Sequence, residues 1–182
     1  MIRRDLDQIL LTDQQIQQRL DGLALEIGRA FAGQELTMVA VLTGSLLFTA
    51  DLLKRLTLPL RLDHVGVSSY RDGTRPASEL LLTRSLRLDV AGRDVLVVDD
   101  VLDTGRTLVN IRQMITALRP RRLKFCVLLE KDVPHADRFQ ADFVGFHIPN
   151  QFVVGYGLDF RERYRNLTCI ATLRPEVLAA AP

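Results

Sequence analysis

Residues 95–108 read VLVVDDVLDTGRTL. Four apolar residues in a row, Val95 to Val98, run into two adjacent aspartates. After Thr104-Gly105-Arg106-Thr107, the residues Leu108, Ile111, Ile115 and Leu118 recur on one helical face, and Pro120 stops the helix. A strand that is apolar at consecutive positions has to be buried on both faces. A strand that passes within a few residues into a helix is half of a βαβ unit. This stretch confines the chain to an α/β fold whose sheet is mainly parallel and covered by helices on both sides.

The remaining periodicities agree. Ile16, Leu20, Leu23, Ile27 and Phe31 mark an amphipathic helix over residues 13–32, with Gly33 at its C-terminal cap. MVAVL (38–42) reads as a buried strand. Thr43-Gly44-Ser45 is a turn, and residues 46–56 read as a helix with Ser45 as N-cap. LRLDHVGVSSY (60–70) alternates as a strand, RDGTRP (71–76) reads as an exposed loop, and ELLLTRSL returns from it as a strand. LKFCVLL (123–129), DFVGFHI (142–148), FVV (152–154) and CIATL (169–173) read as further strands, ahead of a soft tail, EVLAAAP. In a doubly wound sheet, ligands bind beyond the carboxyl ends of the strands. One rim therefore carries Thr43–Ser45, Asp99–Thr107 and Glu130-Lys131.

The 182 residues fit one domain, and 47% hydrophobic with 25% charged residues is the composition of a soluble globular chain. A net charge of +2 is too small to mark a nucleic-acid binder by bulk charge. Cys126 and Cys169 lie far apart in apolar stretches, as core residues of a reducing compartment do. The N-terminus has no signal-peptide core, and no run reaches the roughly 18 apolar residues of a membrane span. A cytoplasmic protein is expected.

The rim has specific chemistry. Gly105 permits a tight turn with inward N–H groups, Thr104 and Thr107 add hydroxyls, and the following helix presents its positive end. Together they form a cradle for a phosphate dianion. Asp99 and Asp100 beside it can bind Mg²⁺ or accept hydrogen bonds from sugar hydroxyls. Competing motifs fail. There is no GxxxxGK[ST], and GYGLDF (155–160) does not satisfy GxGxxG. DDVLD matches a DDxxD pattern that belongs on a helix, whereas here it follows a strand. DTG in an aspartic protease would require an all-β chain.

VDDVLDTGRT resembles the phosphoribosyl-pyrophosphate (PRPP) signature of the type I phosphoribosyltransferases. SSY (68–70), VLLEK (127–131), DFVGFHIPNQFVVGYGLDF (142–160) and RYRNL (163–167) resemble the hypoxanthine-guanine branch in the same order. The resemblance covers roughly residues 35–173. It implies a single phosphoribosyltransferase domain over 1–182, with a core at about 35–150 and a small hood from the terminal segments, about 1–20 and 150–182. It implies purine salvage: a 6-oxopurine displaces pyrophosphate from C1 of PRPP, Mg²⁺ assists, and IMP or GMP forms.

It also implies roles by position. Asp103, Thr104, Gly105, Arg106 and Thr107 hold the 5′-phosphate. Asp99 and Asp100 face the ribose hydroxyls, directly or through Mg²⁺. Asp103 is the general base or proton relay at N7 of the purine. Lys131 donates to O6 and discriminates against adenine. Phe152 stacks on the ring and the backbone around Val153 reads its edge. Asp159 holds a second Mg²⁺ beside the purine and pyrophosphate. Thr43, Gly44, Ser45, Arg165 and the lid residues Ser69 and Tyr70 bind pyrophosphate, with a cis peptide expected at Thr43–Gly44. The family places Lys or Arg where this chain has Thr43, which implies weaker or differently tuned PRPP binding, or altered subunit contacts. A homodimer or homotetramer is expected, without membrane or nucleic-acid partners.

Two other readings share the fold. A pyrimidine-operon attenuation regulator would use a basic patch such as Arg119, Arg121, Arg122 and Lys124 to bind RNA. It would also carry an aromatic residue at position 103 and lack FVVGYGLD. A xanthine-preferring phosphoribosyltransferase differs only in pocket detail.

Overall fold

The computed structural model describes residues 2–68 and 81–180. In chain order the elements are β1 (Leu6–Leu11), α1 (Asp13–Ala30), β2 (Leu36–Leu42), α2 (Leu46–Leu53), β3 (Leu60–Ser68), β4 (Leu81–Arg84) and β5 (Asp94–Leu102). They continue with α3 (Arg106–Ala117), β6 (Arg122–Lys131), β7 (Phe143–Ile148), β8 (Ile170–Leu173) and α4 (Pro175–Ala179). Six strands form one sheet in the order β4-β3-β2-β5-β6-β7. All neighbours are parallel except β4, which runs antiparallel to β3 at the edge. A separate two-stranded antiparallel sheet joins β1 to β8.

The apolar runs of the central strands divide between two cores because successive side chains alternate across the sheet. Leu96, Val98, Cys126 and Leu128 point to one face, where Ile16, Leu20, Leu23 and Ile27 of α1 cover them. Val95, Val97 and Val127 point to the other, under Leu108, Ile111 and Ile115 of α3. Ile16, Leu20, Leu23 and Ile27 are fully buried, and each such side chain contributes about 1.5–3 kcal/mol. Helix α1 starts at a capping box. Thr12 Oγ1 accepts from the Gln15 N–H at 3.3 Å, and Gln15 Oε1 accepts from the Thr12 N–H at 2.9 Å.

Several expectations are corrected. Helix α2 ends at Leu53 rather than Leu56. Leu118 is 45% exposed because it lies past the last turn of α3, outside its apolar face. FVV is no strand: only Val154 bridges to Ala171, and the backbone then turns away through Gly155 and Gly157 at φ 100° and 103°. The tail forms the short helix α4, opened by Pro175. Residues 6–11, unassigned in the sequence reading, form β1.

Three of the four residues of the candidate basic patch, Arg121, Arg122 and Lys124, are engaged in ion pairs. The carboxylate of Asp94, fully buried, accepts from Arg121 Nε at 2.9 Å and Arg122 Nη2 at 2.7 Å. Lys124 pairs with Asp142 at 2.7 Å. The guanidinium of Arg121, then that of Arg122, holds the Asp94 carboxyl below the usual carboxylate range despite its burial.

Candidate active site

The C-terminal ends of β2, β3 and β5 open into a cleft of about 1270 Å³, above the roughly 300–1,000 Å³ of an ordinary small-molecule pocket. Of the residues singled out in the sequence, Thr43, Gly44, Asp99, Asp100, Asp103, Thr104, Gly105, Thr107, Phe152, Asp159 and Arg165 line it. Ser69 and Tyr70 fall outside the described residues.

Strand β5 does not stop before its aspartates; it stays extended to Leu102. Asp99 is buried, and the N–H of Asp100 donates to its Oδ1 at 3.0 Å. Burial first, then the neighbouring Asp100 charge, pushes the Asp99 carboxyl well above its ordinary pKa. Burial also raises Asp100, against hydrogen bonds from Asp99 and the Val101 N–H that pull it down. A buried carboxylate beside a half-buried one that faces the cleft repels it, and a divalent cation relieves both. The pair therefore fits a metal in its donor chemistry. Among the described residues no three His, Cys, Asp or Glu side chains gather to hold a metal by themselves. That suits a cation held by one or two carboxylates plus substrate oxygens, as Mg²⁺ is held. Asp159 stands apart from this pair. Its carboxylate accepts from Arg165 Nη2 at 2.9 Å and from the Glu162 N–H at 3.0 Å.

Residues 103–107 form a tight turn that opens helix α3. Gly105 sits at the N-cap of α3 with φ 77°, a conformation that side chains rarely adopt. The first N–H groups of α3 lack helical acceptors and face the loop's concave side. The loop is pinned from behind, where the Ala136 N–H donates to the Thr104 carbonyl at 2.7 Å. Arg106 is exposed and outside the cleft lining, so it offers its backbone at the start of α3 and not its guanidinium.

At the end of β6, Lys131 Nζ lies 2.6 Å from Asp103 Oδ2. The lysine side chain is 11% exposed, held by packing, while Asp103 is 47% exposed. Lys131 does not itself line the cleft; it reaches the rim through Asp103. Phe152 lies at the mouth, 44% exposed, with its ring edge-on to Phe160 at 5.7 Å. An aromatic face left open beside polar groups is a stacking platform. Val153 is buried in the core and contributes only backbone to this region.

The turn after β2 differs from expectation at two points. The cis peptide is Leu42–Thr43, one residue before the expected Thr43–Gly44. The Ser45 hydroxyl does not cap α2; it turns back and donates to the Val41 carbonyl, so Ser45 is buried away from the cleft. Glycine at position 44 lets the turn lie against Asp100, since a Cβ would come within 1.8 Å of Asp100 Oδ2 and displace that carboxylate. A residue not assigned from sequence closes the other side: a Cβ on Gly157 would lie 2.1 Å from the Gly44 carbonyl oxygen. Of the two glycines of GYGLDF, Gly157 lets that segment rest on the Thr43–Ser45 turn, while Gly155 lies against the Cys169 carbonyl, where a Cβ would come within 2.0 Å. Tyr156 anchors the contact by donating to Asp51 at 2.7 Å. His64 and Arg84 also line the cleft without having been singled out.

A strand-end cleft with a phosphate loop and an acidic pair defines a sugar-phosphate transferase of the phosphoribosyl class. The Phosphoribosyl transferase domain family matches residues 7–161, and the chain belongs to that family. Within it, the chain is similar to the hypoxanthine-guanine branch. It is 43% identical to the hypoxanthine-guanine phosphoribosyltransferase of Mycobacterium tuberculosis over 95% of this chain and 89% of that one. A Staphylococcus aureus hypoxanthine phosphoribosyltransferase structure superposes with a TM-score of 0.92 at 39% identity, covering 98% of this chain and 97% of the other. The bifunctional protein TilS/HprT of Listeria monocytogenes is 39% identical over 97% of this chain, which spans only 27% of that protein's length.

Proposed function

We propose that the chain is a purine-salvage enzyme that transfers the 5-phosphoribosyl group of PRPP to hypoxanthine or guanine, releasing IMP or GMP and pyrophosphate. The observation that carries this reading is the Asp103–Lys131 pair at 2.6 Å, in which Asp103 opens the loop 103–107 and shares the cleft with the exposed Phe152 ring. Loop 103–107 holds the 5′-phosphate through its amides and hydroxyls. Asp99 and Asp100 hold the ribose hydroxyls, and Mg²⁺ with them. When bound, Mg²⁺ neutralises charge on the ribose and pyrophosphate oxygens.

The purine lies against Phe152. Its O6 accepts from Lys131 and its N7 faces Asp103. Asp103 takes the purine proton as the nitrogen–C1 bond forms and the C1–oxygen bond breaks, with the electron pair leaving on pyrophosphate. Carboxylates around the cleft stabilise the positive charge that develops on the ribosyl carbon. Lys131, pinned by Asp103, has only donors to offer, so the exocyclic amine of adenine leaves its charge unmatched. Pyrophosphate lies against the Thr43–Gly44 amides and Arg165, with a second Mg²⁺ at Asp159. Asp159 has to give up part of its bond to Arg165 to take that role. Two free thiols, Cys126 and Cys169, suit a reducing cytoplasm. Exposed Leu25, Leu46 and Leu62 leave apolar surface for assembly into a homodimer or homotetramer.

An RNA-binding regulator is disfavoured by Asp103 itself and by the engagement of Arg121, Arg122 and Lys124 with Asp94 and Asp142. The test is pyrophosphate release from PRPP with Mg²⁺ and hypoxanthine or guanine, in the wild type and Asp103→Asn. Release by the wild type and a rate lowered about 10²–10⁴-fold in the variant are expected. No release with either base overturns the proposal.

A further inference from the structure

Among the described residues the cleft contains one arginine without an assigned task, Arg84 at the end of β4. The other two arginines that line the cleft are engaged. Arg165 is held by Asp159 and Glu162, each at 2.9 Å. Arg161 donates to the Ala180 carbonyl and lies over the Phe160 ring at 4.8 Å. Arg84 is exposed to the cleft and has no carboxylate or carbonyl partner among the described residues.

Its position in the sheet is specific. Leu42 pairs with Gly66 across β2 and β3, and Gly66 pairs with Arg84 across β3 and β4. The three residues form one row, and paired neighbours project to the same face of a sheet. The middle residue has no side chain. Arg84 stands two strand spacings, or roughly 10 Å, from the end of β2 in the same cleft, with the β3–β4 pairing shifting register just beyond it, between Gly66 and Val67. That row ends at the turn Thr43–Ser45, where the cleft is lined by Thr43 and Gly44. The turn has no cation of its own, because it offers only backbone amides and the Thr43 hydroxyl while the Ser45 hydroxyl is turned inward.

We infer that Arg84 is a binding residue for the diphosphate group: it reaches over Gly66 and supplies the positive charge that the Thr43–Ser45 turn lacks. The planar guanidinium offers paired N–H donors to neighbouring oxygens of the diphosphate, a match that an ammonium makes only as a point charge. This inference rests on the reading of the Thr43–Ser45 turn as the pyrophosphate side of the cleft.

The test measures both directions of the reaction in Arg84→Ala and Arg84→Lys. KM for PRPP forward and KM for pyrophosphate in reverse should each rise about tenfold in Arg84→Ala, the loss of one charged hydrogen bond. KM for the purine should stay within twofold. Arg84→Lys should recover part of the loss. Gly66→Leu, which leaves Arg84 in place and puts a side chain in the row between it and Leu42, should reproduce the Arg84→Ala pattern. The inference is overturned if the wild type turns over and Arg84→Ala leaves both phosphate-side KM values unchanged. It is equally overturned if purine KM rises in step with them, because that is the mark of general damage. A wild type without any transfer would instead overturn the functional reading beneath it.

Discussion

Replacing Lys131 by Met separates what this lysine does for the fold from what it does for the substrate. Methionine keeps most of the stem, which is packed to 11% exposure, and removes only the charge. In the free protein the Nζ–Oδ2 contact to Asp103 is short at 2.6 Å, but Asp103 is 47% exposed and solvent screens the pair. Its loss should cost about 1 kcal/mol or less, a fall in Tm of roughly 2–4 °C for a chain of this size. With a purine in place, water is excluded and O6 becomes the lysine's acceptor. A hydrogen bond from a charged donor then contributes about 1.5–3 kcal/mol, which is about a 10- to 150-fold loss of kcat/KM for hypoxanthine and guanine. Adenine, which gains nothing from the lysine, should lose far less, so discrimination should narrow by the same factor. The assay is kcat/KM for hypoxanthine, guanine and adenine at saturating PRPP, beside a thermal melt. Hypoxanthine kcat/KM within twofold of wild type would refute the O6 assignment, and a Tm drop well beyond 4 °C would refute the screening argument.

Gly44→Ala places a Cβ 1.8 Å from Asp100 Oδ2, so the carboxylate has to move; calorimetry should show Mg–PRPP binding weakened roughly tenfold. Phe152→Ala should raise purine KM about fivefold through loss of roughly 1 kcal/mol of stacking, leaving PRPP KM unchanged because the ring is 44% exposed and carries little of the core. Asp94→Asn tests the ion-pair network. The folded-state pKa of Asp94 is depressed, so its stabilising contribution is present above the unfolded value of about 4 and is lost as pH falls through the lower folded value. Chemical denaturation should find the variant about 3 kcal/mol weaker at pH 7, with the gap closing below pH 4. A gap independent of pH would show that the asparagine acts through packing instead.

The central strands were legible because burial on both faces leaves a run such as Val95–Val98, which no solvent-facing segment tolerates. The turn between β5 and α3 was legible because Gly105 and its hydroxyl neighbours Thr104 and Thr107 fall within a few residues of the strand's end. β1 was not legible: its partner β8 lies far along the chain, and pairing at that distance leaves no local mark on LDQILL. Helix α2 starts where the sequence put it, at Leu46 after Ser45, but the Ser45 hydroxyl bonds to Val41 instead of capping it, and the helix ends at Leu53, three residues early. FVV carried strand residues, yet the positive-φ glycines after it break the extension, Gly155 against the Cys169 carbonyl and Gly157 against the Gly44 carbonyl. Arg84 was hidden for a similar reason. Its neighbour across the row, Gly66, is 18 positions away in sequence, and only the sheet brings them together.

The most direct measurement offers the purified protein PRPP, Mg²⁺ and an equimolar mixture of hypoxanthine, guanine, xanthine, adenine and uracil, and identifies the nucleotides formed. IMP and GMP should appear in proportion to released pyrophosphate, with AMP and UMP at least tenfold lower. UMP as the main product, or no nucleotide from either hypoxanthine or guanine, would contradict the account.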